Sequence, residues 1–148
     1  MLDGLFVTPA ATAVAEALAS AGAAPDRGPI AVVGNARLAA ALAADRDVLP
    51  IGMSPRAAKK LPRHLPDLSS LEPRSLAAVV GVDVATDEAW ADTLRAWVRV
   101  VRDGGAIVFV DRGHPLEASR RALCAGLSEL EQRRAGRAVV TSGLVTHL

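Results

Sequence analysis

A chain of 148 residues, 51% hydrophobic and 22% charged, is long enough to build one core, too short for two, and too apolar to stay disordered. Its formal net charge of +1 provides no global field for nucleic acid or an anionic membrane, and no apolar run approaches the ~20 residues of a membrane span. A single cysteine, Cys124, excludes an internal disulfide and fits a reducing compartment, so a cytoplasmic location is expected. Aromatics are only 3%. The core must therefore come from Ala, Val and Leu, with Cys124 expected inside it as a small residue on a helix.

Met1 to Phe6 carries an Asp and no basic cluster, which is not the pattern of a signal peptide. A first helix is expected from Thr8, capped by its hydroxyl with Pro9 at the first helical position, to Ser20, with Gly22 ending it. After a turn at Pro25-Asp26-Arg27-Gly28, the unalternating run Ile30-Ala31-Val32-Val33 reads as a strand buried on both faces. Gly34-Asn35 then leads into a helix through Ala43, with Asn35 as its cap.

Val48 to Ile51 reads as a second strand, placed by Pro50 near an edge or a strand end. Ser54 and Pro55 open a short helix through Leu61, stopped by Pro62. The prolines and serines from Pro62 to Pro73 predict loop with at most a very short strand. Leu76 to Val82 is another fully buried strand. Trp90, Leu94, Trp97, Val98 and Val101 form a helical stripe within 87–102, making both tryptophans anchors on a sheet. Gly104-Gly105 should close that helix, and Ala106 to Val110 is the clearest strand. A helix from Pro115 to Ala125 precedes a terminal hairpin of 127–132 and 138–145. Alternating strands and helices ending in two successive strands imply an open, mostly parallel sheet covered on both faces, with an antiparallel hairpin at one edge.

Five segments in order carry a family resemblance. Leu94 to Val110, with Arg102-Asp103-Gly104-Gly105 before a strand, resembles the helix, paired glycines and fifth strand of class I S-adenosylmethionine-dependent methyltransferases. Val32 to Ala39 is similar to the family's Gly-rich turn, Ile51 to Pro55 to its second-strand end, and Ser75 to Val80 to its fourth strand. Gly126 to Glu131 and Val139 to Gly143 are similar to its closing hairpin. The resemblance implies one methyltransferase-like domain over 1–148, with 1–27 an N-terminal helix and lead-in and 28–148 a three-layer Rossmann-like core. It also implies an α/β sheet of about six or seven strands, the third short or absent.

The cofactor-holding positions depart from that pattern. The resemblance puts Val32, Gly34 and Ala36 at three glycine positions and Ile30 at an acidic one, Gly52 where an acid would hold the ribose, and Ala77 where the fourth strand carries Asp. Were S-adenosylmethionine to bind, Gly34, Asn35, Gly52, Met53 and Asp83 would hold it, with Asp67 the one nearby acid able to substitute at the sugar. Asp83 and His114, at strand ends where ligands of such sheets converge, are the weak catalytic candidates. His64 and His147 lack ligand-spaced partners and are expected in solvent, and no metal site is expected. Arg56, Lys59, Lys60 and Arg63 fall at i, i+3, i+4 and i+7, a basic face for an acidic protein or a phosphate if the helix persists. The expected function is a non-catalytic interaction or assembly domain without a cofactor, self-associating as a homodimer or partnering another protein. The alternatives are an active small methyltransferase with an atypical S-adenosylmethionine site and a phosphate-binding regulator.

Overall fold

A computed structural model describes residues 2–23, 27–61 and 63–147, with side chains from residue 10 onward. Pro25 and Asp26 of the expected turn, and Pro62 as helix stop, lie outside the described residues. The elements are α1 (Leu2–Ser20), β1 (Ile30–Val33), α2 (Ala36–Leu42), β2 (Val48–Ile51), α3 (Pro55–Ala58), β3 (Leu76–Val82), α4 (Trp90–Val100), β4 (Val101–Asp111), α5 (Pro115–Cys124), β5 (Ser128–Ala135) and β6 (Ala138–Leu144).

Among the described residues the six strands form one sheet in the order β2-β1-β3-β4-β6-β5. β2, β1, β3 and β4 are parallel, and β6 and β5 add an antiparallel hairpin. Side chains on successive strand residues point to opposite faces, and both faces are covered. Ile30, Val32, Ala78, Val80, Val108 and Val110 pack with Val14, Leu18, Leu38 and Leu42 of α1 and α2. Ala31, Val79, Ile107 and Phe109 pack with Leu94 and Trp97 of α4 and Ala118 and Ala122 of α5. This is the three-layer α/β architecture expected from the runs without alternation.

The third strand is reduced to one bridge. Leu65 pairs in parallel with Ile51, its N–H donating to Pro50 O at 3.0 Å and its carbonyl accepting from Gly52 N at 2.8 Å. With Pro50 supplying no N–H, this one residue closes the outer edge of β2.

Several boundaries differ from expectation. α1 begins at Leu2, so Thr8 is not its cap, and Pro9 lies inside the helix at the cost of one backbone bond. The burial of Ala10, Ala13, Val14, Ala17 and Leu18 offsets that loss. α3 is a single turn that ends at Ala58, followed by tight turns in which Lys60 N bonds Ala57 O and Leu61 N bonds Ala58 O. α4 starts at Trp90 and stops at Val100, because Val101 is already extended and paired with Leu76. Gly104-Gly105 therefore does not close the helix; it sits in an irregular stretch of β4 between the Leu76–Val101 and Ala78–Ala106 pairs. A Cβ on Gly105 would come within 2.6 Å of Ala77 O, so close packing fixes that residue. β5 runs on to Ala135, leaving Gly136-Arg137 as the hairpin turn.

Three side chains are placed differently as well. Cys124 is exposed, because α5 buries the face of Ala118 and Ala122 and Cys124 lies off it. His64 and His147 are half-buried, each holding a backbone group: His64 Nε2 accepts from Met53 N at 3.2 Å, and His147 Nε2 lies 2.7 Å from Val101 O. Both tryptophans pack on the core as expected, Trp97 buried and Trp90 half-buried with the guanidinium groups of Arg120 and Arg121 about 5.5 and 5.3 Å from its ring centroid.

Candidate functional site

Parallel order brings the C-terminal ends of β2, β1, β3 and β4 to one edge of the sheet, and the residues after each strand line it: Gly52, Gly34, Asp83 and the segment from Asp111 to His114. The Gly34-Asn35 turn is only two residues long. Gly34 adopts φ +76°, a conformation that disfavours a side chain, and its N–H donates to Ile51 O at 2.9 Å. A Cβ built there would meet nothing within 4 Å, so the space over Gly34 is open. Val32 does not stand at this mouth; it is fully buried inside β1 against the α1 and α2 layer.

The sequence-predicted residues divide into two groups. Gly34, Gly52 and Asp83 are exposed on the edge. Asn35 is committed to its helix, its Oδ1 accepting from Leu38 N at 2.9 Å. Met53 is buried in the core, its N–H held by His64. Gly52 takes φ +64°, and no side chain stands at the end of β2. Asp67 does not replace one: its carboxylate closes a local turn, accepting from Ser69 N at 2.8 Å and from Ser69 Oγ at 2.5 Å. Those bonds hold its pKa below the usual carboxylate value.

The residue that the sequence did not single out is Asp111. It is 1% exposed, its Oδ1 accepts from Ala85 N at 2.8 Å, and its Oδ2 has no protein partner. Burial is the main reason its pKa is pushed up to about 6; the Ala85 N–H pulls the other way, Asp83 adds to the rise, and His114 and Arg121 oppose it. The available signal was its position as the acid ending the apolar run of β4. Asp83 itself sits at φ +60° with its N–H on Val110 O at 2.8 Å, and His114 at φ +57° precedes α5 without capping it through its side chain. Among the described residues no three His, Cys, Asp or Glu groups gather to hold a metal ion, and no helix is long and apolar enough to cross a membrane.

The basic segment is not one helical face. Arg56 is in the single turn of α3, Lys59 and Lys60 are exposed beyond it, and Arg63 pairs instead with Asp47. A cleft of about 410 Å³ is lined by Asp67, Leu68, Ser69, Ala96 and Arg99, and one of about 210 Å³ lies between α4 and α5; Gly34, Gly52 and Asp83 line neither.

This architecture is that of known methyltransferases. The chain superposes on a chain of the complex between the Haloferax volcanii Trm112 methyltransferase activator and a candidate methyltransferase, with TM-score 0.72 and 14% identity over 93% of this chain and 90% of that one. It matches an S-adenosylmethionine-dependent methyltransferase from Thermotoga maritima with TM-score 0.68 and 14% identity, covering 97% and 93%. The 16S rRNA methyltransferase RsmC of T. thermophilus, in complex with AdoMet and guanosine, matches with TM-score 0.62 and 17% identity over 81% of this chain, which spans 36% of that protein. No protein-family model and no curated protein matches the sequence. The chain thus has the fold of class I S-adenosylmethionine-dependent methyltransferases.

Proposed function

We propose that this domain uses the methyltransferase fold for assembly with a protein partner or a second copy of itself, without catalysis and without holding S-adenosylmethionine. The observation that carries this reading is the end of β2. There Gly52 offers no carboxylate to accept the two ribose hydroxyls, an interaction worth about 1.5–3 kcal/mol per bond to a charged group. The backbone on either side is already engaged, Gly52 N by Leu65 O and Met53 N by His64. Asp67, the nearest substitute, is tied to Ser69. The residues present do not fit the cofactor's sugar. A partnership with another protein has a parallel in the Trm112 complex.

A second reading, an active small methyltransferase with an atypical grip, is favoured by the open space over Gly34 and the exposed Asp83. Calorimetric titration separates the two. No heat of binding is expected with S-adenosylmethionine at tens of micromolar; a clear one-site isotherm, lost in Asp83→Ala, overturns the cofactor-free reading. The exposed Arg56, Lys59 and Lys60 are a secondary proposal for contact with an acidic partner, to be tested by Lys59→Glu with Lys60→Glu in a pull-down.

A further inference from the structure

We infer that Asp111 is a proton-operated latch on the C-terminal edge of the sheet: protonated, it fastens the turn after β4 to the turn after β3, and ionised, it lets the turn after β4 open to water. The inference concerns the edge itself and stands apart from the assembly reading above. Asp111 is the last residue of β4, and its Oδ1 reaches across to the other turn, accepting from Ala85 N at 2.8 Å. Its Oδ2 is shut away from solvent and has no protein partner. A neutral carboxyl group tolerates that place. A carboxylate there is a desolvated charge with a single backbone donor, which is far more costly.

The backbone beyond Asp111 supplies the hinge. Arg112, Gly113 and His114 join β4 to α5, with φ +95° at Gly113 and +57° at His114. The left-handed conformation is strained for histidine, and opening the turn relieves it. A Cβ built on Gly113 meets nothing within 4 Å, so no neighbour wedges the turn at that residue. The turn after β3 is held more firmly, because Arg121 donates to Val84 O at 2.6 Å and to Asp87 O at 2.9 Å and ties it to α5. The moving part is therefore 112–114. As it opens, the Asp111 carboxylate turns to water and releases Ala85 N.

The groups around the latch set its direction. On the turn after β3 stand Asp83, which favours the proton on Asp111, and Asp87, held by Ala89 N and Thr93 Oγ1. From the side of α5 come His114 and Arg121, which oppose the proton, and Glu117, paired with Arg120 and Arg121. On the hairpin the residue opposite is Val139, with Arg134 one strand further out, and Arg112 adjoins in the chain. Burial outweighs the opposing groups and lifts the pKa from 3.8 to about 6. Opening restores the ordinary value, so the opening equilibrium rises with pH by on the order of fiftyfold between pH 4 and 7, levelling off above 6. Asp83 and His114 are exposed on this edge, so whatever the edge contacts meets a fastened surface below pH 6 and a loosened one above it.

Amide hydrogen exchange followed by NMR from pH 4 to 7 tests the latch, with fully buried Val79 in the middle of the sheet as the reference for global unfolding. Corrected for intrinsic rates, the protection of Ala85 N–H is expected to lie below that of Val79 and to fall on the order of fiftyfold across the range. It should change little in about 1 M urea, as a local opening exposes little surface. In Asp111→Asn the fall should vanish. The carboxyl carbon of Asp111 should titrate with a midpoint near 6, a measurement that needs no variant. Ala85 exchanging with the rate and urea dependence of Val79 overturns the inference, because global unfolding alone would then release it. A fall that persists in Asp111→Asn overturns it too, as does a carboxyl midpoint at the ordinary 3.8.

Discussion

Gly81 and Trp97 are fitted so closely that a methyl group on Gly81 would lie within 2.6 Å of Trp97 Cζ2 and closer still to Cη2. The indole of α4 lies against the bare backbone of β3, which is how a core so poor in aromatics fills the space beneath that helix. Gly81→Ala is predicted to destabilise by about 1–3 kcal/mol through overpacking, a fall in melting temperature of roughly 3–10 °C. In Gly81→Ala/Trp97→Leu the losses should not add, because the smaller side chain makes room for the methyl. Additive urea-unfolding energies for the two substitutions would remove the contact as the cause.

The buried carboxylate of Asp111, with one oxygen held by Ala85 N and the other without a partner, sets a pH dependence. Its folded pKa of about 6 lies above the ordinary 3.8, so the folded state holds the proton more tightly than the unfolded chain does. The sign follows: acidification from pH 6 to 4 adds stability, and alkalinisation through pH 6 removes it. Asp111→Asn keeps an acceptor for Ala85 N without the charge. It is predicted to raise stability at pH 7 by on the order of 1–3 kcal/mol and to flatten the slope between pH 4 and 6. Urea titrations of both proteins at pH 4, 5, 6 and 7 measure this directly.

The order of elements was legible because buried parallel strands leave runs such as Leu76 to Val82 and because the Leu94 and Trp97 spacing marks a helix on a sheet. Gly34, Gly52 and Asp83 could be placed on one edge for the same reason: each follows a parallel strand. The helix end at Val100 was hidden because paired glycines read as a helix stop, whereas here the strand has already begun and Gly105 is held by its approach to Ala77 O. Cys124 was misread because residue type gives a burial tendency, and the face actually buried depends on how α5 is rotated against the sheet. Asp111 and Arg121 owe their roles to partners 26 and more positions away in the chain, which no local pattern displays.

Arg121 ties α5 to the turn after β3. Its Nη1 donates to Val84 O at 2.6 Å and to Asp87 O at 2.9 Å, its Nε meets Glu117 at 2.6 Å, and the side chain is only 14% accessible. Arg121→Met keeps the apolar stem but leaves two carbonyls without their donor, with a predicted loss of about 2–3 kcal/mol or roughly 5–10 °C in melting temperature. Arg121→Lys should recover less than half, since an ammonium cannot reproduce the planar fork. The arginines also shape the acid limb. Hydrogen bonds from Arg120 first and Arg121 second hold the Glu117 pKa at about 2, below the ordinary 4.5. That stabilisation is present above pH 4.5 and is lost as the pH falls toward 2. In Arg121→Met the acid transition should be shallower but still present, because Arg120 keeps its own pair; an unaltered acid limb, followed by circular dichroism, would show that Arg120 alone fixes the carboxylate.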